Sequence, residues 1–191
     1  MPPYSKFTKD EIVNAALEIV RKDGFSALTA RALGTKLGTS SRPIFTVFKN
    51  MSELHQAVIE AAKKIYNEYI KIGLAAEPPF KGVGTQYILF AIKEPKLFQL
   101  LFMKEQEEIP TLSGILPIID DNYEKILCSV QADSRVDKEF SEWLYRHLWI
   151  YTHGIATLCA SKMCQFTGEE IGRMVSEVYL GLLKQKKEEV K

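Results

Sequence analysis

A chain of 191 residues suits one compact domain or a small head on a larger body. At 46% hydrophobic and 26% charged it has the composition of an ordinary globular protein, with apolar material for a core and no run of 18 apolar residues to span a membrane. The net charge of +1 hides an uneven distribution: residues 1–50 hold eight Lys and Arg against four Asp and Glu, a net +4, and residues 51–191 hold 17 against 20, a net −3. A basic head on a mildly acidic body suits a phosphate-binding module on a solvated scaffold. The polar start, Met1 to Lys6, has no signal-peptide hydrophobic region and predicts a cytoplasmic location. Three cysteines, Cys128, Cys159 and Cys164, with no Cys-x-x-Cys spacing, argue against a disulfide framework or a zinc site. They read as reduced, small apolar side chains, a redox-sensing role being the less favoured reading.

In chain order the sequence predicts helices throughout, an all-α fold. Thr8 to Asp23 repeats Ile12, Ala16, Ile19 and Val20 at helical spacing, with a Thr8-x-x-Glu11 capping box and Gly24 as the stop. A second helix starts at Thr29, buries Ala32, Leu33 and Leu37, and ends at Gly38. Ser40 is placed to cap a third, short helix through Phe48, with Pro43 in its first turn. A longer helix runs from Ser52 to about Ile72, followed by a linker at Ala76-Glu77-Pro78-Pro79. Phe80–Lys93 and Lys96–Lys104 form two helices broken at Glu94-Pro95; Glu105 to Gly114 is acidic and irregular. Three further helices are expected over about Leu116–Ala132, Val136–Lys162 and Gly168–Lys187. Strand signals are absent. The division is a head over residues 1–50, a connecting helix over 52–72, and a regulatory and dimerisation body over 73–191.

Two short helices around Leu37-Gly38-Thr39 form the unit that lays its second helix in a DNA major groove. Leu33, Leu37, Ile44 and Phe48 would bury the inner faces, while Ser41, Arg42 and Pro43 sit on the outward start of the second helix. An arginine there can reach a guanine edge with two parallel bonds. Thr46 and Lys49, with the N–H groups behind Thr29 and Ser40, are placed for phosphates, and Phe45 divides between core packing and groove contact.

Gly24-Phe25, Thr29, Leu33, Gly38-Thr39-Ser40, Ile44-Phe45-Thr46-Val47-Phe48-Lys49 and Glu53-Leu54 together resemble, in order and spacing, the DNA-binding head of the tetracycline-repressor (TetR) family. Phe45 stands where that family commonly has tyrosine, Met51 where a second lysine is frequent, and Gly34 where alanine is common, which implies fewer phosphate contacts on the same fold. The body resembles a subgroup with a Trp-x-x-x-His-Gly element, here Trp149 to Gly154, preceded by Phe90 to Phe98. The resemblance implies a helical body that dimerises through its last two helices, holds an effector pocket, and represses from a palindromic operator until an effector changes the spacing of the heads.

The body carries more aromatic residues than a thin helical layer needs, so a largely apolar pocket for an unknown small-molecule effector is expected near Tyr87, Phe90, Phe98, Tyr123, Trp149 and His153. Core or interface packing of these residues is the competing reading. The last two helices offer apolar stripes, and Leu144, Tyr151, Ile155, Met174, Val175, Val178 and Leu182 are the expected homodimer contacts. A four-helix interface of this kind would bury about 2,000 Å² or more. The rivals are a small all-helical enzyme and a protein-binding adaptor. No phosphate loop, His-Glu-x-x-His or Gly-x-Ser-x-Gly supports the enzyme, and an adaptor would not need the basic head. No cofactor, metal or membrane partner is expected; the expected partners are double-stranded DNA, a second copy and the effector.

Overall fold

The computed structural model describes residues 6–105, 108–134 and 137–189. Among them the fold is all-α: nine α-helices, two 3₁₀ turns and no strand. None of these helices is long and apolar enough to cross a membrane. The expectations at Gln106, Glu107, Arg135 and Val136 fall outside the described residues. Contacts divide the chain into two compact units.

The first unit takes the chain up to Tyr66 together with Glu94–Lys104. Its α1 (Lys9–Asp23) begins with the expected capping box, in which Glu11 N–H donates to Thr8 Oγ1 at 3.2 Å and Thr8 N–H donates to Glu11 Oε2 at 2.8 Å. A 3₁₀ turn (Phe25–Ala27) leads to α2 (Ala30–Lys36), whose first turn is closed by Ala32 N–H donating to Thr29 Oγ1. At its other end Gly38 takes φ +65°, Gly38 N–H donates to Thr35 O, and Thr39 N–H reaches back to Gly34 O at 2.9 Å. This paired closure needs a left-handed residue and turns the chain sharply. The turn also passes close over α2: a Cβ on Gly34 would stand 3.0 Å from the Ser40 carbonyl carbon and the Thr39 oxygen. An alanine here would force the turn to shift.

Glu94–Lys104, expected in the body, belongs to this first unit. Its helix α5 (Pro95–Phe102) packs on α1, and Arg21 grips Glu94 with two bonds, Nε to Oε2 at 2.8 Å and Nη2 to Oε1 at 2.7 Å. The forked geometry of arginine fits a carboxylate in this way. Helix α3 (Met51–Leu74) contributes its turns up to Tyr66 to the first unit and those from Asn67 to the second.

The second unit packs α4 (Pro79–Lys93), α6 (Leu112–Ile119), α7 (Tyr123–Ser134), α8 (Lys138–Ala160) and α9 (Gly168–Glu189), with α8 against α4, α7 and α9. The single helix expected over Leu116–Ala132 is two. Asp120 Oδ1 accepts Asn122 N–H at 2.8 Å and Asn122 Nδ2 at 3.1 Å, and Asn122 Nδ2 also donates to Asn67 Oδ1 at 2.8 Å. Short polar side chains that bond neighbouring backbone offer an alternative to the helical ladder, and they end α6 and start α7 here.

Candidate nucleic-acid interface

The candidate interface lies in the first unit, around the turn after α2. Leu33, Ile44 and Phe48 are buried at 0%, 0% and 1% exposure, and Leu37 is half-buried beside them. These side chains hold residues 41–48 against the unit's core. The third helix expected through Phe48 does not form: only a 3₁₀ turn, Ile44–Thr46, is helical. Pro43 has no N–H to close a helical bond, and its ring disfavours helical backbone at Arg42. The chain uses i→i+3 bonds instead, from Ile44 N–H to Ser41 O, Phe45 N–H to Arg42 O, Thr46 N–H to Pro43 O and Val47 N–H to Ile44 O. Ser40 is exposed and lies before this run rather than at a helix start.

The outward side of the segment carries Arg42, Phe45, Thr46 and Lys49, all exposed, with Ser41 and Pro43 half-exposed. Phe45 is 42% exposed, so the balance between core and surface falls to the surface. Thr46 Oγ1 donates to Pro43 O at 2.7 Å, which fixes the hydroxyl. Lys49 N–H donates to Glu53 Oε2 at 2.7 Å and Glu53 N–H to Asn50 Oδ1 at 2.9 Å, so the start of α3 pins the end of the segment. Thr29 is exposed, with its side-chain oxygen committed to the α2 cap. Arg31, also exposed and in the first turn of α2, adds a cation the sequence reading did not single out. Lys36 is paired with Glu18 at 2.5 Å, and this pairing holds the Glu18 carboxyl below its ordinary value.

The six aromatic and histidine residues expected at an effector pocket divide. Phe98 lies in the first unit, fully buried and 5.3 Å from the Phe102 ring, because α5 packs on α1 there. The others lie in the second unit. Phe90 is buried with its ring 5.3 Å from Tyr69, and Tyr123 stacks on Tyr145 at 5.7 Å. Tyr87, Trp149 and His153 do come together: Tyr87 Oη lies 2.9 Å from His153 Nδ1, and the Trp149 ring stacks on His153 at 4.8 Å. The direction of the Tyr87–His153 bond follows the tautomer of the imidazole, since Nδ1 accepts the Tyr87 O–H only when it carries no proton.

Burial, and then the charge of Asp120, push the Tyr87 and Tyr145 hydroxyls well above their ordinary value, so both stay neutral. Asp120 is itself only 6% exposed. Tyr145 was missed by the sequence reading although it stands four residues before Trp149, on the same side of α8. Burial holds His153 below the ordinary histidine value. The unfolded chain would then take up a proton first, near pH 6.5. The stabilisation is complete above that pH and is lost as the pH falls towards the lowered native value. The wild-type melting temperature should therefore drop more steeply between pH 7 and 5 than that of His153→Gln; equal slopes by calorimetry would rule this out.

Of the expected dimer contacts, Leu144 and Ile155 are 0% and 4% exposed within the unit's own core, so neither is open to a second copy. Tyr151, Met174, Val175, Val178 and Leu182 remain half-exposed. The outward side of α8 instead shows Ile150 at 46% and Leu158 at 36% exposure, with exposed His147 and Gly154 at matching helical steps. Among the described residues no three His, Cys, Asp or Glu side chains gather as metal ligands. Compared with known proteins, the chain matches no family model and no curated sequence.

Proposed function

We propose that the chain is a transcription regulator of the tetracycline-repressor kind, binding double-stranded DNA as a homodimer and acting as a ligand-responsive repressor. The observation that carries this reading is the tight α2 turn. It presents Arg42, Phe45, Thr46 and Lys49 outward from a segment anchored by Ile44 and Phe48. A cation at the start of a reading element recognises a base edge, and flanking cations and hydroxyls meet phosphates. The effector reading rests on the second unit, where Tyr87, Trp149 and His153 form a polar cluster among apolar side chains, suited to orienting a small molecule.

Fluorescence anisotropy on duplex DNA at graded salt tests the DNA reading. Arg42→Ala should cost about 1–3 kcal/mol on the preferred sequence and relax selectivity at one position per half-site. Lys49→Ala should weaken all sequences alike and reduce the salt slope by about one unit. Unchanged affinity and selectivity in Arg42→Ala would remove Arg42 from the reading surface.

A further inference from the structure

The end of α8 is closed by a backbone turn that doubles the chain onto its last helical turn. Lys162 takes φ +58°, Lys162 N–H donates to Cys159 O at 3.0 Å, and Met163 N–H donates to Leu158 O at 3.0 Å. Cys164 N–H donates to the same Leu158 carbonyl at 3.3 Å. That carbonyl belongs to the peptide entering Cys159. Standard peptide dimensions then keep the two cysteine α-carbons within about 7.5 Å, an upper bound that non-collinear bonds shorten towards the ~4.4–6.8 Å of bridged pairs. Cys164 is exposed and Cys159 partly buried; among the described residues Cys128 is the third free thiol, on α7.

We propose that Cys159 and Cys164 are a peroxide-sensitive thiol pair that closes into an intrachain disulfide, fastening the end of α8 to the loop that leads to α9. Burial, and then the charge of Cys164, raise the Cys159 thiol, which keeps Cys159 protonated. Exposed Cys164 meets the oxidant first. The Cys164 thiol gives up its proton, its sulfur attacks one peroxide oxygen, the O–O bond breaks, and the departing hydroxide takes that proton, so a sulfenic acid and one water result. The Cys159 sulfur then attacks the Cys164 sulfur, its proton leaves with the hydroxyl as a second water, and the S–S bond forms. Overall two thiols lose two electrons and two protons, and one hydrogen peroxide becomes two waters. A dithiol reductant reverses the step. The inference does not depend on the DNA reading.

The test treats the full chain with hydrogen peroxide, quenches with acid, and counts thiols in denaturant alongside intact mass and peptide mapping. The expected result is a fall from three thiols to one, a mass loss of about 2 Da, a Cys159–Cys164 crosslinked peptide and free Cys128, all reversed by dithiothreitol. Cys128→Ser should keep the bridge, and Cys164→Ser should keep both remaining thiols. Three persistent thiols, a gain of about 32 Da from sulfinic acid, or a covalent dimer on a non-reducing gel would each overturn the proposal.

Discussion

Phe48→Ala should destabilise the first unit by about 3–5 kcal/mol and abolish DNA binding on every sequence, a larger and less selective loss than that of any outward residue. Phe48 is 1% exposed, and with Ile44 it is one of two buried side chains in residues 41–50. The segment they anchor has few helical bonds of its own: a run of i→i+3 contacts and a single i→i+4 bond, Phe48 N–H to Ile44 O. Such contacts are weaker than an α-helical ladder, so the conformation of the segment depends on burial. Removing the ring opens a cavity under the turn and releases Arg42 and Phe45 together. Phe45→Ala is the matched control. That ring is 42% exposed, so its loss should change stability by no more than about 0.5 kcal/mol while still weakening DNA binding. Thermal and denaturant unfolding followed beside anisotropy separates the two; equal stability losses would show that Phe45 is a core residue.

Charge placed on the outward side of α8 or α9 should give monomers. Ile150→Glu puts a carboxylate where Ile150 is 46% exposed, so the unit's own core is left intact. Val178→Glu makes the matching change on α9, where Met174, Val175, Val178 and Leu182 are partly exposed. Large apolar side chains left open along two long helices favour a self-complementary interface about a two-fold axis. Loss of the second head removes the gain from simultaneous binding of two half-sites, so affinity for a palindrome should fall by about 10²–10⁴. Sedimentation should show the wild type as a dimer at micromolar concentration and both variants as monomers with wild-type helicity. Wild type sedimenting as a monomer, yet binding a palindrome tightly, would contradict the dimer.

Periodicity made most of the fold readable. Helix ends followed from the Thr8 box, the Thr29 cap and Gly38, because each is a local contact within a few residues. What periodicity could not supply was the partner of an apolar face. Leu144 and Ile155 fit an interface stripe as well as a core stripe, and only packing against α4 and α7 assigns them to the core. Phe98 was grouped with body aromatics because nothing near it in sequence signals that α5 packs on α1; the Arg21–Glu94 pair spans 73 residues. Two helix readings failed for a local reason, the Pro43 ring in one and the Asp120–Asn122 side-chain bonds in the other. The outward positions of Arg42, Thr46 and Lys49 were readable because they depend only on which residues alternate with buried Ile44 and Phe48, whereas Phe45, open between core and surface in the sequence, is placed outward only by its exposure.

The most direct test is selection of binding sites from a random pool of duplex DNA by the full chain, followed by sequencing of the retained fraction. A DNA-reading dimer predicts enrichment of one inverted repeat whose half-sites lie about one helical turn apart, ~34–36 Å or somewhat more, and the enrichment should collapse with Arg42→Ala. Retention that vanishes at moderate salt with no enriched sequence, or no retention at all, would contradict the account and leave the basic head without a nucleic-acid role.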